Sequence, residues 1–362
     1  MMPSSFNLQY KPPDSICLLR LSAIGDAVNV VPMIRTLQHR WPHARITWII
    51  GRVEAKLLRL IPEIEFIEVD KRKPLPEFLR LIRLLRKRRF DLLLHIHLSL
   101  RASLISLLVR APVKLGFDRA RARELQWLFT NRQIAPRQRQ HVLDSYWGFT
   151  EALGIMDRRL EWNLPLPEDA RAYAQGVIPD LQPTLLISPC SSHSLRNWTA
   201  ANYGRIADHA VVRWGMRVVL CGGGSAMEHS FGREIVASAR EELLNQIGQD
   251  TLPQMLALLG RATVLICPDS GPAHMATAAG TAVIGLYAAT NPKRSGPYLS
   301  LAWCVDEYEH AARIFLNRDA SDLPWTTKIE RRGVMDLVKP EAVIAKLDDF
   351  MQQRATHNPL DA

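Results

Sequence analysis

Five cysteines in 362 residues form no CxxC pair and no Cys/His cluster. Cys17, Cys221 and Cys267 fall in apolar, strand-like runs. Scattered buried thiols of a reducing compartment are therefore expected, rather than a disulfide frame or a zinc site. No two aspartates are spaced as DxD, and no His, Cys and carboxylate group has metal spacing, so no metal is expected. Apolar runs near the roughly 18 residues of a membrane span are missing, because LLLHIHLSLRASLISLLV is broken by His95, His97 and Arg101. The start, MMPSSFNLQYKPPDS, lacks the basic beginning and apolar core of a signal peptide. GxSxG, kinase, GxGxxG and GxxxxGK[ST] patterns are absent as well. No helix-turn-helix or RRM signature appears, which leaves nucleic acid supported by charge alone. A soluble cytoplasmic protein that can visit a membrane surface fits these absences.

Apolar residues make up 47% of the chain, enough for the two cores that this length favours. The net charge of +10 is uneven: up to Glu161 there are 28 Lys and Arg against 15 Asp and Glu, and beyond it 18 against 21. The first half is thus suited to an anionic partner, be it phosphate, nucleic acid or a membrane surface. A merely well-solvated arginine-rich face is the plainer alternative.

Strand-like bursts alternate with helix-length amphipathic stretches, the pattern of parallel sheets with crossover helices. The first half predicts strands at 16–21, 45–50, 64–69 and 91–96, with helices at 27–40, 53–60, 75–88, 102–109 and 139–153. A proline-rich change of character around NLPLPED places a linker near 158–182. The second half predicts strands at 184–189, 216–221, 244–247, 263–267 and 282–287. Its helices fall at 200–213, 226–240, 251–260, 272–279 and 340–353, and 303–335 reads as irregular. The fold class is α/β, with two Rossmann-like doubly wound domains facing a cleft. Their bounds are 1–165 and 166–338, and a C-terminal helix and tail over 339–362 is expected to pack back on the first.

Four stretches each follow a strand and precede a helix, where such folds bind ligands: SAIGD (22–26), SPCSSHSLRNW (188–198), CGGGSAMEH (221–229) and PDSGPAH (268–274). In the last, Ser270 and Gly271 can present N–H groups at a helix start where Pro272 needs no partner, a site suited to phosphate. Asp269 and His274 flank it, and a plain helix cap by Asp269 or Ser270 is the competing reading. Ser191 and Ser192 offer hydroxyls to phosphate oxygens, and Arg196 offers a charged fork able to stabilise a departing diphosphate. A surface loop with an exposed arginine competes with that. Glu228 is placed to accept from ribose hydroxyls. Asp26 is either a helix N-cap or a carboxylate with chemistry to perform.

These four stretches, in this order, resemble the ADP-heptose:lipopolysaccharide heptosyltransferases, glycosyltransferase family 9 with the GT-B fold. The likeness runs from about residue 16 to 298. It implies inverting transfer of heptose from ADP-heptose to a sugar hydroxyl of the lipid A-linked lipopolysaccharide inner core, at the cytoplasmic face of the inner membrane. By resemblance Asp26 is the general base, with Ser22 and Gly25 on the acceptor side. Ser191, Ser192 and Arg196 hold the donor diphosphate, Glu228 the ribose, and Ile247 lines the adenine pocket. Asp269, Ser270, Gly271 and His274 match the donor signature, and no cofactor beyond the ADP-sugar co-substrate is implied. The basic position, lysine in some members, is Arg196 here. The EYEHAARIFLNRDASDLPWTTKIE segment matches nothing, which leaves the acceptor less determined than the donor. A related ADP-sugar transferase with another acceptor, a later core sugar or a protein hydroxyl, stays open, as does a nucleotide-binding module without turnover. Residues 75–88 fit either a surface-lying amphipathic helix or an ordinary crossover helix.

Overall fold

The structure, a computed structural model, describes residues 12–357, so most of the stretch tested for a signal peptide lies outside the described residues. The chain divides into two compact units, Met1–Pro165 and Leu166–Ala362. In the first, the order is β1 (Ser15–Leu19), α1 (Ile24–Val28), α2 (Val31–Arg40), β2 (Arg45–Gly51), α3 (Arg52–Leu58) and β3 (Ile64–Val69). There follow α4 (Pro74–Leu85), β4 (Leu92–His95), α5 (Leu100–Leu108), β5 (Val113–Gly116), β6 (Arg132–Gln133) and α6 (Val142–Ala152). The strands pair in parallel in the order β3-β2-β1-β4-β5-β6. Helices cover both faces of such a sheet, so its central strands are apolar without alternation. Accordingly β2 is buried from Ile46 to Gly51, and β4 throughout. The reversal of order between β1 and β4 is the switch point at which doubly wound sheets bind ligands beyond their carboxyl ends.

The single helix expected over 27–40 is two. Pro32 in the first turn of α2 lacks an N–H and its ring would collide with the carbonyl of Val28, where α1 ends. The Trp162 indole N–H donates to that carbonyl instead, at 3.0 Å. Strands β5 and β6 escaped the sequence reading because they are short, and β6 is fully exposed.

The second unit begins with α7 (Glu168–Val177), β7 (Thr184–Ile187), α8 (Ala200–Trp214), β8 (Arg217–Leu220), α9 (Ala226–Ser238) and β9 (Leu244–Asn245). It continues with α10 (Leu252–Arg261), β10 (Val264–Pro268), α11 (Gly271–Ala279), β11 (Ala282–Tyr287), α12 (Pro292–Ser295), β12 (Val305–Asp306), α13 (Tyr308–Leu316) and α14 (Pro340–His357). Its parallel sheet, β12-β11-β10-β7-β8-β9, has the same winding as the first. The helix starts follow their sequence signals: Ser225 with Glu228 and Thr251 with Gln254 form capping boxes on α9 and α10.

Three expectations need correction here. The linker holds α7, an amphipathic helix packed on α10. The irregular segment 303–335 contains β12 and α13, whose Tyr308, Ala311 and Ala312 are buried. The C-terminal helix, expected on the first domain, packs on α8, β11 and β12 of the second unit. There Asp348 Oδ1 takes both His209 Nε2 and the Trp214 indole N–H at 2.7 Å. All five cysteines are buried and free of disulfides, and among the described residues no helix is long and apolar enough to cross a membrane.

Candidate active site

Residues 20–26 leave β1 at the switch point of the first sheet, and backbone bonds fix their path. Gly51 N–H donates to the Leu21 carbonyl at 3.0 Å. A Cβ on Gly51 would stand 2.3 Å from that oxygen, so only glycine permits the approach. Leu21 N–H donates to His97 Nδ1 at 3.3 Å, and Arg20 donates through one terminal nitrogen to the Ile96 carbonyl at 2.9 Å. The other terminal nitrogen of Arg20 meets Asp26 Oδ2 at 2.5 Å. Asp26 is not the N-cap: that position is Ala23, which has no capping side chain, and Asp26 sits third in α1. Gly25 is likewise inside the helix and buried, so the chain turns before it, at Ser22 and Ala23.

Burial disfavours the Arg20 charge, but Asp26, Tyr146 and Glu54 together outweigh it, so the guanidinium is raised above its ordinary value. Its side chain is 10% exposed, that of Asp26 39%. A guanidinium at ion-pair distance favours the ionised form of this carboxylate. Burial, then the nearby Arg20 charge, pushes His97 down to about 3. It is neutral at physiological pH, with Nδ1 as acceptor for Leu21 N–H. Leu21, Ser22, Lys71, His97, Ser99, Arg101 and Glu124 line an open cavity of about 340 Å³ beside this loop.

In the second unit the loops after β7 and β10 are joined directly. Ser191 is buried, and its hydroxyl donates to the Asp269 carbonyl at 2.8 Å while Asn197 Oδ1 accepts from its N–H at 2.7 Å. Its hydroxyl proton is thus engaged in stapling the two loops; Ser192 beside it is exposed. Arg196, closing a short 3-10 turn, lies 3.3 Å from Asp269 Oδ2 through one terminal nitrogen. Its Nε and other terminal nitrogen reach Glu330 Oε1 at 2.9 and 2.6 Å. The arginine is 12% exposed, so the surface-loop alternative does not hold. Ser270 is the N-cap of α11, yet its hydroxyl makes no capping bond and is buried against the Cys267 thiol. Gly271 opens α11, and His274 is buried one turn in. A helix start that lacks a side-chain cap, with the Gly271 N–H at its first position, and a clamped guanidinium beside it together suit an oxyanion.

Glu228 takes up its capping box: Oε1 accepts from Gly223 N–H at 2.9 Å and Oε2 from the Ser225 hydroxyl at 2.6 Å. Ile247 corrects an expectation. Its side chain is 2% exposed and fills core space against α9, where a Cβ on Gly232 would stand 2.6 Å from its Cδ1. Two residues were missed altogether, Glu330 and Lys328. Burial, then the Arg196 charge, lowers Lys328 below its ordinary value, so its charge is felt at the clamp. Both come from the segment read as irregular.

The model described as glycosyltransferase family 9 (heptosyltransferase) matches residues 78–320. The chain belongs to glycosyltransferase family 9. It is 37% identical over 335 residues to the lipopolysaccharide core heptosyltransferase OpsX of Haemophilus influenzae, covering 92% of this chain and 96% of that one. The structure is similar to that of the Escherichia coli ADP-heptose lps heptosyltransferase II, with TM-score 0.70, 21% identity and coverage of 94% and 99%. It is also similar to the E. coli heptosyltransferase WaaC with ADP-2-deoxy-2-fluoro heptose, with TM-score 0.65, 17% identity and coverage of 84% and 99%. The protein is a glycosyltransferase, and its two α/β units are those of the GT-B fold.

One further group in this family 9 chain has a measurable signature. Burial pushes Asp250, in the loop before α10, up to about 7, and its Oδ2 makes no hydrogen bond to the protein. The unfolded carboxyl titrates near 4, so between about pH 4 and 7 the native state holds a proton that the unfolded state has lost. Stability therefore falls as pH rises through that window. Asp250→Asn is expected to match the wild-type melting temperature at pH 4 and to exceed it at pH 8, as differential scanning calorimetry would read.

Proposed function

We propose that the protein transfers heptose from ADP-heptose to a sugar hydroxyl of the lipopolysaccharide inner core, with inversion and without a metal, at the cytoplasmic membrane face. The observation that carries this reading is the receptor around Arg196: a guanidinium clamped by Asp269 and Glu330 beside the uncapped start of α11, suited to a diphosphate. In the reaction, Asp26 accepts the proton of the acceptor hydroxyl as its oxygen attacks the anomeric carbon. The bond from that carbon to the diphosphate oxygen breaks, and its electron pair leaves with ADP. Arg196, Lys328 and the N–H groups of α11 stabilise the charge gathering on the leaving oxygen, the task that a divalent cation performs elsewhere. Because Arg20 favours the ionised form of Asp26, proton transfer is late, following the rise in acidity of the attacking oxygen. The uneven charge of the chain agrees with an anionic acceptor held by the first unit.

A donor and acceptor panel tests this. With ADP-heptose, ADP-glucose and UDP-sugars offered against lipopolysaccharide-core and protein acceptors, release of nucleoside diphosphate is expected with ADP-heptose and core acceptor. Equal use of UDP-sugars, or release only with a protein acceptor, would overturn the assignment.

A further inference from the structure

Helices α4 and α5 pack against each other in the first unit, and each turns a row of apolar side chains to solvent. Leu75, Leu79 and Ile82 of α4 are 71, 49 and 37% exposed; Leu100, Leu104 and Leu107 of α5 are 47, 43 and 58% exposed. Spacings of four and three residues put each row on one helix face. Leu81 and Leu85 carry the buried packing of α4, so the exposed row is not what a crossover helix needs to hold its sheet. Between the helices lies a cavity of about 460 Å³, walled by Leu75, Phe78, Leu81, Leu104 and Ile105. That volume is in the range of small-molecule clefts, about 300–1,000 Å³.

Lys71 and Arg101 line this apolar cavity and also the one beside Ser22. Asp70 and Glu77 lie on the apolar cavity too, but each is held by an arginine, Arg52 at 3.1 Å and Arg80 at 2.6 Å. Lys71 is paired with Glu54 at 3.0 Å. Arg101 is exposed and makes no ion pair among the described residues, and the same holds for Arg72 and Lys73 at the entry to α4. The two cavities thus meet at a basic junction: an apolar trough on one side and, on the other, a chamber lined by Ser22, His97, Ser99 and Glu124 beside the loop that carries Asp26.

We propose that the trough between α4 and α5 takes an acyl chain of a lipid-linked anionic acceptor, whose charged head lies at Lys71 and Arg101. This rests on the transferase reading above. A bilayer surface is the poorer fit, because the apolar lining forms a concave trough that shares Lys71 and Arg101 with the cavity beside Ser22. An apolar chain laid there gains about fourfold in affinity per buried methylene, so the effect is read in KM for the acceptor.

The test compares ADP release from ADP-heptose with the detergent-dispersed acylated acceptor and with its fully deacylated counterpart. For the wild type, KM is expected to be at least tenfold lower with the acylated form. In Leu75→Gln, Leu104→Gln and the double variant that ratio collapses toward one, whereas Leu181→Gln, in the second unit, preserves it. The single variants alter exposed side chains, so they keep the test alive should the double variant fold poorly. Equal KM for both acceptors in the wild type overturns the trough while leaving the transferase reading intact; no release with either acceptor overturns that reading instead. If the variants keep the ratio but lose co-sedimentation with acceptor-free phosphatidylglycerol–phosphatidylethanolamine vesicles, the face is a bilayer contact and the proposal is wrong.

Discussion

Asp26→Asn is expected to lower kcat by about 10²–10⁴-fold, the usual contribution of a positioned general base, with little change in ADP affinity. Asparagine retains an oxygen that can accept from Arg20, so the folded state should lose on the order of 1 kcal/mol and a few degrees of melting temperature. Asp26→Ala is a different experiment. It leaves the Arg20 guanidinium, 10% exposed, without the carboxylate that faces it, and a larger thermal shift accompanies the activity loss. If Asp26 served only to pair with Arg20 in the first turn of α1, both variants would lower the melting temperature and leave turnover unchanged. Steady-state kinetics and a thermal melt on the same preparations separate the two roles.

Arg196→Ala is the second large effect. Removing a preorganised donor to a developing oxyanion typically costs about 10²–10³-fold in rate, and here the loss also leaves Asp269 and Glu330 facing the diphosphate position without their cation. Weaker ADP binding in calorimetry and a fall in kcat/KM of that size are expected together. Arg196→Lys should recover part of the loss, because an ammonium restores charge but cannot reach Asp269 and Glu330 as a planar fork. Undiminished ADP binding in Arg196→Ala would place the diphosphate elsewhere.

The alternation of apolar bursts with amphipathic stretches made both sheets legible, since buried parallel strands announce themselves as continuous Val, Ile and Leu runs. What escaped was short or half-exposed: β6 presents Arg132 and Gln133 to solvent, and α13 hides in a segment without a clear boundary signal. The break between α1 and α2 was written in Pro32, whose effect on the Val28 carbonyl could have been read. The strand-to-helix turns that carry the candidate residues were visible because Gly, Ser and Pro mark such turns locally. Glu330 was not, since it lies 134 positions from the arginine it clamps and nothing local distinguishes it. Arg20 stood in plain view within an apolar run, and a charge there is a signal for a buried partner. Ile247 rested on the family resemblance alone, and nothing local in the sequence announces that it is buried against Gly232.

The reaction proposed is a direct, metal-independent displacement with Asp26 as base and Arg196 at the leaving group. Nuclear magnetic resonance of the glycosidic bond formed from ADP-heptose, with ADP release followed in the same reaction and a chelator present, tests it most directly. One ADP per bond, an anomeric configuration opposite to that of the donor and full turnover with the chelator are predicted. A retained configuration, or turnover abolished by the chelator, would contradict it.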